Sequence, residues 1–423
     1  MRPAPGIFLK KKSSRIGLRR GAARLRLRTR GAEDESNMDS ASDSSRDADR
    51  RPRDVDTVVI SGASTFGFNV LGALHYFFEH VHGPSRGRGG RARGIRKYVG
   101  TSAGFLVGVL LSVGYSPAEI LAKIVASGVL LRVAADVDPS RLFTAATGCA
   151  AFDAVADFFD ALVAARCGGA RGATFDDVRR AAGAFTPADG AAPALVACAY
   201  DLASGEAVYF SSATHGGMRV VDAARATCSV PVLFDHYECE AAGLAERGRV
   251  FVDGGVVNNF PLAATDPVGA GDVVFGVSVS SVVPAAAATA GTGRSATAAA
   301  AGSARPTDGS GSGGGSGSGG AAAKPGGATA DAPFTDRLRF GASALMRVVA
   351  GLQRDSLAEF HARVRRAAGS RRAGAAVVVE PVVLEIFKPD ALKSFDFGAA
   401  AADAPRYFLE GFRTALDFFK KND

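Results

Sequence analysis

The stretch 95–111 constrains the fold of this chain more than any other. It consists of a short extended run, the turn G-T-S-A-G at 100–104, and an apolar run suited to a helix. A G-x-S-x-G motif between a strand and a helix is typical of a nucleophilic serine turn. Gly100 and Gly104 lack Cβ atoms, so strand and helix can pass closely and Ser102 can sit at the helix N-terminus, which favours negative charge. A plain small-residue turn before a buried helix is the alternative, because short glycine motifs recur by accident.

Two further loops follow predicted strands and consist of small or polar residues. Residues 61–67 follow a β-branched strand at 55–60, and residues 253–259 follow a strand at 249–252. Strands and helices alternate, and the strands are continuous apolar runs, which is typical of a parallel sheet covered by helices on both faces. We therefore predict a three-layer α/β/α fold with a mainly parallel central sheet. Functional groups collect at the carboxyl ends of such strands, so these two loops and 100–104 should meet at one edge.

Local patterns predict the remaining elements. Helices are predicted at 117–125, 139–147, 151–166, 221–226 and 337–365. Further strands are predicted at 194–199, 207–210, 273–280 and 377–386. In a terminal helix, four large apolar residues recur at helical spacing: Phe408, Phe412, Leu416 and Phe419. Such a stripe indicates a face that packs on the core.

The net charge of the chain is unevenly distributed. The whole sequence carries +8, but residues 1–32 hold 11 Lys and Arg side chains and no Asp or Glu. The rest of the chain has 39 basic and 42 acidic side chains and is close to neutral. The basic pI therefore gives no argument for nucleic-acid binding by the folded part.

Composition predicts four segments. Residues 1–53 form a basic, then acidic tail with too few apolar residues to offset the entropy of ordering. The basic opening also fits an organelle-targeting peptide or an arm that binds nucleic acid or an anionic surface, and a start at Met38 would remove it. Residues 54–284 form the core, 285–333 are an Ala/Gly/Ser-rich flexible insertion, and 334–423 complete the domain with helices and a strand.

No metal, cofactor or membrane-spanning segment is predicted. The loop at 61–67 lacks the Lys-Ser/Thr pair of a phosphate-binding P-loop, and the six histidines do not cluster. No apolar run reaches the roughly 18–20 residues that a membrane span needs. The cysteines include no C-x-x-C pair and are expected to be reduced in an intracellular protein that is soluble or peripherally membrane-associated; they are Cys149, Cys167, Cys198, Cys228 and Cys239.

Three motifs in order resemble the patatin-like phospholipase family. The serine turn at 100–104 matches the G-x-S-x-G of that family. Asp-Gly-Gly at 253–255 matches its Asp-Gly-Gly/Ala motif, and the continuation at 256–261 is also typical. The Ala-Thr-Cys-Ser-Val-Pro segment at 226–231 resembles the small-residue segment before that aspartate. The resemblance extends from about Val55 to Ser280 and less fully over the C-terminal helices.

The resemblance implies a lipid acyl hydrolase with a Ser-Asp dyad and an acyl-enzyme intermediate. Ser102 would be the nucleophile and Asp253 its base, supported by Gly100, Gly104, Gly254 and Gly255. Burial would raise the pKa of an aspartate and make it a better base at neutral pH. The substrate would be a phospholipid or another acyl lipid at a peripheral membrane surface. The alternative for the aspartate is a turn former before two glycines.

The first loop departs from the family pattern. The family has Gly-Gly-Gly-x-Arg/Lys-Gly where this chain has Gly-Ala-Ser-Thr-Phe-Gly at 62–67. The resemblance assigns the oxyanion hole to backbone N–H groups of Gly62, Ala63, Ser64 and Gly67. Alanine and serine resist positive φ, whereas glycine does not. A displaced donor would cost on the order of 10²–10³ in rate, and Phe66 removes the basic side chain.

Two alternatives follow. One is a lipid-binding protein that is catalytically weak or inactive because of the altered loop. The other is a Ser-Asp-His hydrolase of the α/β-hydrolase type, with the order Ser102, Asp253, His361.

Overall fold

A computed structural model describes residues 55–82, 94–144, 146–183, 192–240, 243–265, 273–280, 381–388 and 395–422. The chain divides into two units, residues 1–48 and residues 49–423, and all described residues lie in the second unit. The predicted tail at 1–53, the insertion at 285–333 and the helix at 337–365 lie outside the described residues.

An eight-stranded mixed sheet forms the centre of the domain. Its strands are β1 (Thr57–Ile60), β2 (Lys97–Thr101), β4 (Ala194–Asp201), β5 (Glu206–Ser211), β7 (Tyr237–Glu238), β8 (Val250–Asp253), β9 (Val274–Ser280) and β10 (Val382–Phe387). The order is β10-β9-β1-β2-β4-β8-β7, and β5 pairs with β4. The β10-β9-β1-β2-β4 part is parallel throughout. The predicted class, a mainly parallel sheet with helices, is confirmed.

The strand β8 runs against the direction that the sequence predicts. It pairs antiparallel with β4, and only with the last residues of β4, so that Asp253 lies opposite Ala199. On the same edge of β4, Thr101 of β2 pairs with Cys198, because β5 occupies the opposite edge along Val196–Asp201. β8 therefore ends at the level where β2 ends although it runs the opposite way. This register, not a common strand direction, brings 253–259 to the edge formed by 100–104.

Eight α-helices lie within the described residues and flank the sheet. They are α1 (Gly67–Tyr76), α2 (Ala103–Ser112), α3 (Pro117–Ser127), α4 (Val129–Asp136), α5 (Asp153–Ala164), α6 (Phe175–Ala182), α7 (Val220–Cys228) and α8 (Phe397–Asn422). α3 begins at a capping box in which Ser116 and Glu119 satisfy each other's backbone N–H groups. α1 and α8 cross closely at Gly72, where an added Cβ would overlap the Phe408 carbonyl. The missing side chain of Gly72 allows this close approach.

The apolar side chains of the strands form two clusters. Val58, Ile60 and Tyr98 belong to the large cluster that also contains residues of α1, α2 and α8. The neighbouring Val59 and Val99 belong to a small second cluster with Leu262. This alternation follows from the pleat, which points successive side chains to opposite faces. The predicted stripe on α8 is core-facing: Phe408 and Phe419 are buried.

Some local predictions were wrong. The predicted helix at 139–147 is a 3₁₀ turn at Pro139–Phe143 followed by β3 (Gly148–Ala150). β3 pairs with β6 (Val232–Phe234) in a second, two-stranded sheet that the sequence did not indicate. Helix α4 was also missed. Among the described helices, no single one has the length and apolarity to cross a membrane; α2 and α3 meet these criteria only as a pair bent by 117°.

Candidate active site

The serine turn has the expected strained geometry. Ser102 has φ 53° and ψ −128° and stands directly before α2. Positive φ is rare for residues other than glycine and is a marker of functional turns. The flanking glycines are required: a Cβ at Gly100 would overlap the backbone of Phe105, and one at Gly104 would overlap the Ile60 carbonyl. The predicted strand–turn–helix is confirmed, and α2 presents its N-terminus at the serine.

Asp253 lies beside this serine at the end of β8. Its carboxyl lies close enough to the Ser102 side chain for that hydroxyl to lower its pKa, and it accepts a hydrogen bond from the Gly255 N–H at 2.7 Å. Ser102 is 8% exposed and Asp253 is 5% exposed. A Cβ at Gly254 would overlap the Cys198 carbonyl, so the small residues allow the close approach to β4. The structure thus brings together the two residues that the sequence paired.

The environment of Asp253 suits a proton acceptor. Burial raises the pKa of its carboxyl to about 6, and the hydrogen bonds from Ser102 and Gly255 oppose that rise. A buried carboxylate loses hydration that two hydrogen bonds only partly replace. A base with this pKa is ionised at neutral pH and is far stronger than an ordinary aspartate.

Two asparagines join the three loops, and the sequence did not single them out for this role. The Thr101 hydroxyl donates to the Asn258 carbonyl at 2.9 Å. The Gly62 N–H donates to the Asn259 carbonyl at 2.9 Å, and Asn259 Nδ2 donates to the Gly62 carbonyl at 3.0 Å. Adding a Cβ to Gly62 would overlap Asn259 Oδ1 and lie 3.4 Å from Ser102 Cβ. The predicted meeting of 61–67, 100–104 and 253–259 is confirmed.

Not every residue of the predicted oxyanion loop offers a donor. The Gly62 N–H is engaged with Asn259, and the Gly67 N–H donates to the Ser64 and Thr65 carbonyls at the start of α1. Both hydrogen bonds shape the loop and remove these two groups from the predicted donor set. Among the described residues, the Ala63 N–H has no hydrogen-bond partner. Ala63 is therefore the best candidate donor.

The expected strain falls on one residue of this loop. Ser64 has φ 44°, in the region that favours glycine. Ala63 has φ −146°, which is ordinary for alanine. Ser64 therefore adopts a conformation that glycine would reach without strain.

A cation lies beside the position where the family's basic residue is missing. Lys388 Nζ lies 5.5 Å from the ring centroid of Phe66 and 5.4 Å from that of Tyr407. The same ammonium group pairs with Glu410 at 3.0 Å. Lys388 therefore places a cation, paired with Glu410, against the aromatic ring that stands at the position of the family's basic residue.

Metal-binding and thiol groups are the remaining candidates for chemistry. Within the described residues, no group of three or more His, Cys, Asp or Glu side chains could hold a metal ion. All five cysteines are free, as predicted, and only Cys167 is not fully buried. The alternative base His361 lies outside the described residues.

Comparison with known proteins identifies the domain. Residues 58–266 match the family model described as patatin-like phospholipase. This segment is a domain of the patatin-like phospholipase family, as the three motifs indicated. Among solved structures the chain is similar to VipD from Legionella pneumophila, with 12% identity and a TM-score of 0.38 over 87% of this chain and 67% of that chain. No curated protein matches the chain.

Proposed function

We propose that this protein hydrolyses fatty acyl esters of phospholipids or related acyl lipids. The observation that carries the proposal is the juxtaposition of Ser102, on a strained turn at the end of β2, with the buried Asp253 at the end of β8. The family assignment supports a lipid acyl hydrolase. The pairing of these two side chains supports the finer statement that the enzyme uses a serine nucleophile.

In the proposed reaction, Asp253 accepts the Ser102 hydroxyl proton as Oγ attacks the ester carbonyl carbon. The leaving alcohol takes that proton, and the acyl chain stays on Ser102 as an ester. A water molecule then gives a proton to Asp253 as its oxygen attacks the acyl carbon. The bond between Ser102 Oγ and the acyl carbon breaks, the fatty acid leaves, and Asp253 returns the proton to Ser102 Oγ. No histidine is required in this sequence of steps, because the pKa of about 6 makes Asp253 a sufficient base.

The proposed oxyanion hole combines a loop donor with a helix end. The Ala63 N–H belongs to the loop that Asn259 holds next to Ser102. The N-terminus of α2 adds the partial positive charge of its unpaired N–H groups. Donors already in place when charge develops on the carbonyl oxygen stabilise the transition state without reorganisation.

An ester-hydrolysis assay on the full chain tests the proposal. Purified protein would be mixed in chelator with a fluorogenic short-chain ester and with phosphatidylcholine vesicles, and released fatty acid would be measured. We expect turnover of both, with a fluorophosphonate probe attached at Ser102 by peptide mass spectrometry. Lipid binding without turnover and without labelling would instead favour the lipid-binding alternative.

The pH dependence of kcat/KM should report the pKa of Asp253, the proposed general base. Because the pKa of Asp253 is raised to about 6, the ionised form is lost below that pH. We expect kcat/KM to fall about tenfold per pH unit below pH 6 and to be flat from about pH 7 to 8. A profile that stays flat down to pH 5 would show that the essential base has an ordinary carboxyl pKa.

Glycine substitutions in the loop at 62–67 test whether its altered sequence weakens the enzyme. Because Ser64 already adopts φ 44°, Ser64→Gly should leave kcat within about threefold, although the strain that it removes is about 1–2 kcal/mol. Ala63→Gly is the matched control, since its φ of −146° needs no glycine. An increase in kcat of about 10²–10³ in Ser64→Gly alone would show that strain had displaced an oxyanion donor.

A further inference from the structure

The last turn of α7 contacts the backbone of Ser102 through the side chain of Thr227. The Ser102 N–H donates to Thr227 Oγ1 at 2.8 Å, and the same hydroxyl donates to the Cys198 carbonyl. Thr227 is completely buried, so its hydroxyl is held by these two backbone groups and not by bulk water. One hydroxyl therefore connects the serine turn to the neighbouring strand β4.

This hydroxyl stands just beyond the last residue pair of β2 and β4. Thr101 and Cys198 form that pair, and Ser102 is the first residue after β2. A strand that ends inside a domain leaves its next N–H without a ladder partner, and a buried N–H without a partner is costly. Thr227 supplies the acceptor, so Ser102 can leave the sheet with its N–H satisfied.

The two peptide groups on either side of the Ser102 Cα atom are held by different elements. Thr227 holds the N–H before that atom, and the carbonyl after it accepts from the Phe105 N–H of α2 at 3.0 Å. The φ of 53° and ψ of −128° describe the rotation of these two groups about the Cα atom. A strained conformation persists only where surrounding contacts fix it. Of these two anchors, only the one in α2 would remain without the Thr227 hydroxyl.

The same end of α7 also holds the backbone of Asp253. The Asp253 N–H donates to the Ser229 carbonyl at 2.9 Å, two residues after Thr227. Ser102 and Asp253 are thus attached to one short segment, which fixes the serine turn relative to the end of β8.

We propose that Thr227 is a positioning residue whose hydroxyl holds the Ser102 peptide group in the strained turn and so keeps Oγ directed at Asp253. This inference rests on the proposed function. Thr227 acts through the backbone groups of Ser102 and Cys198 and takes no part in bond making or proton transfer. Because its hydroxyl occupies the Ser102 N–H, that group is also withheld from the oxyanion hole, which is left to the Ala63 N–H and the N-terminus of α2.

Substitutions at Thr227 separate the hydroxyl from the volume of the side chain. Thr227→Val removes the hydroxyl and keeps the branched shape, whereas Thr227→Ser keeps the hydroxyl. Thr227→Ala is a second hydroxyl-free variant, for the case that valine prevents folding. Thr57→Val is the matched control, because Thr57 is also completely buried and its hydroxyl donates to Asp56 Oδ1 at 2.9 Å, at the end of β1 away from the site.

The readouts on the full chain are kcat and KM for a short-chain ester, the rate constant of fluorophosphonate labelling, and the melting temperature. We expect Thr227→Val and Thr227→Ala to lower kcat and the labelling rate constant about 10- to 100-fold, the range for a buried backbone group that loses its partner. The Ser102 N–H then reaches another acceptor only if the turn shifts, and such a shift misdirects Oγ. KM should stay within about twofold, because Thr227 does not bind the ester. Thr227→Ser should keep kcat within about threefold of wild type and Thr57→Val within about twofold, since both leave the Ser102 N–H bonded.

Hydroxyl-free variants that match wild type in kcat and in labelling would overturn the inference and leave the proposed function intact. A Thr227→Ser variant as slow as Thr227→Val at equal melting temperature would do the same, because side-chain volume would then explain the loss. A wild type that neither turns over nor labels would overturn the proposed function, and this inference with it.

Discussion

Ser102→Ala is expected to abolish ester hydrolysis, with kcat lowered by about 10⁴-fold or more. Removing the nucleophile of a covalent mechanism leaves only the residual rate that binding and the oxyanion hole supply. The neighbouring Cys228 cannot take over, because its raised thiol pKa leaves almost no thiolate at neutral pH. The measurement is release of fatty acid from the short-chain ester, together with fluorophosphonate labelling, which should also disappear.

The matched control is a second buried serine in the same helix. Ser112 is 4% exposed, and its hydroxyl donates to the Val109 carbonyl at 2.7 Å within α2. Ser112→Ala therefore removes a buried hydroxyl without touching the site, and kcat should stay within about twofold. Labelling that persists in Ser102→Ala would place the nucleophile elsewhere. Equal loss in both variants would point to a damaged helix.

The parts of the site that the sequence predicts are those determined by short stretches. Gly100 and Gly104 flank Ser102 within five residues, and the steric demand on them is visible in the motif itself. The strain at Ser64 is local in the same sense. A serine stands where the family has glycine, and the structure shows φ 44° there. Such features need no knowledge of which strands pair.

The parts that the sequence missed depend on contacts between distant residues. Asn259 and Gly62 are 197 positions apart, and nothing in either motif specifies that their backbones bond. The direction of β8 is a similar case, because an apolar run of four residues looks the same in a parallel and an antiparallel pair. The Ser102 N–H donates to Thr227 Oγ1 across 125 positions, and neither motif indicates this bond. Pairing and register, which local patterns do not encode, determine these contacts.

Asp253→Asn is expected to lower kcat by about 10²–10⁴-fold, the typical contribution of a positioned general base. Asparagine keeps an oxygen that can accept the Gly255 N–H bond, now 2.7 Å long, but it cannot take the serine proton. The residual activity should also lose its dependence on a group with a pKa of about 6. Both results are read from kcat/KM for the short-chain ester between pH 5 and 8.

Asp253→Asn should keep or raise the stability of the fold although it lowers the rate of hydrolysis. The pKa of Asp253 is raised by burial, so the folded state binds this proton more tightly than the unfolded state does. The favourable contribution of the protonated carboxyl is present at low pH and is lost as pH rises through about 6. At pH 8 the ionised carboxylate is thus a cost to folding, and a neutral asparagine should melt at the same or a higher temperature.

A buried aspartate elsewhere in the domain provides the control for both readouts. The Asp160 carboxylate on α5 accepts the Gly172 N–H at 3.0 Å and lies 3.5 Å from Arg171. Asp160→Asn weakens this pairing, so it should keep kcat within about threefold and melt at the same or a lower temperature. If Asp253→Asn instead lost stability while keeping its activity, the carboxylate would be structural. If the ionised Asp253 is a base that costs folding stability, replacing it should lower the rate and leave the melting temperature equal or higher.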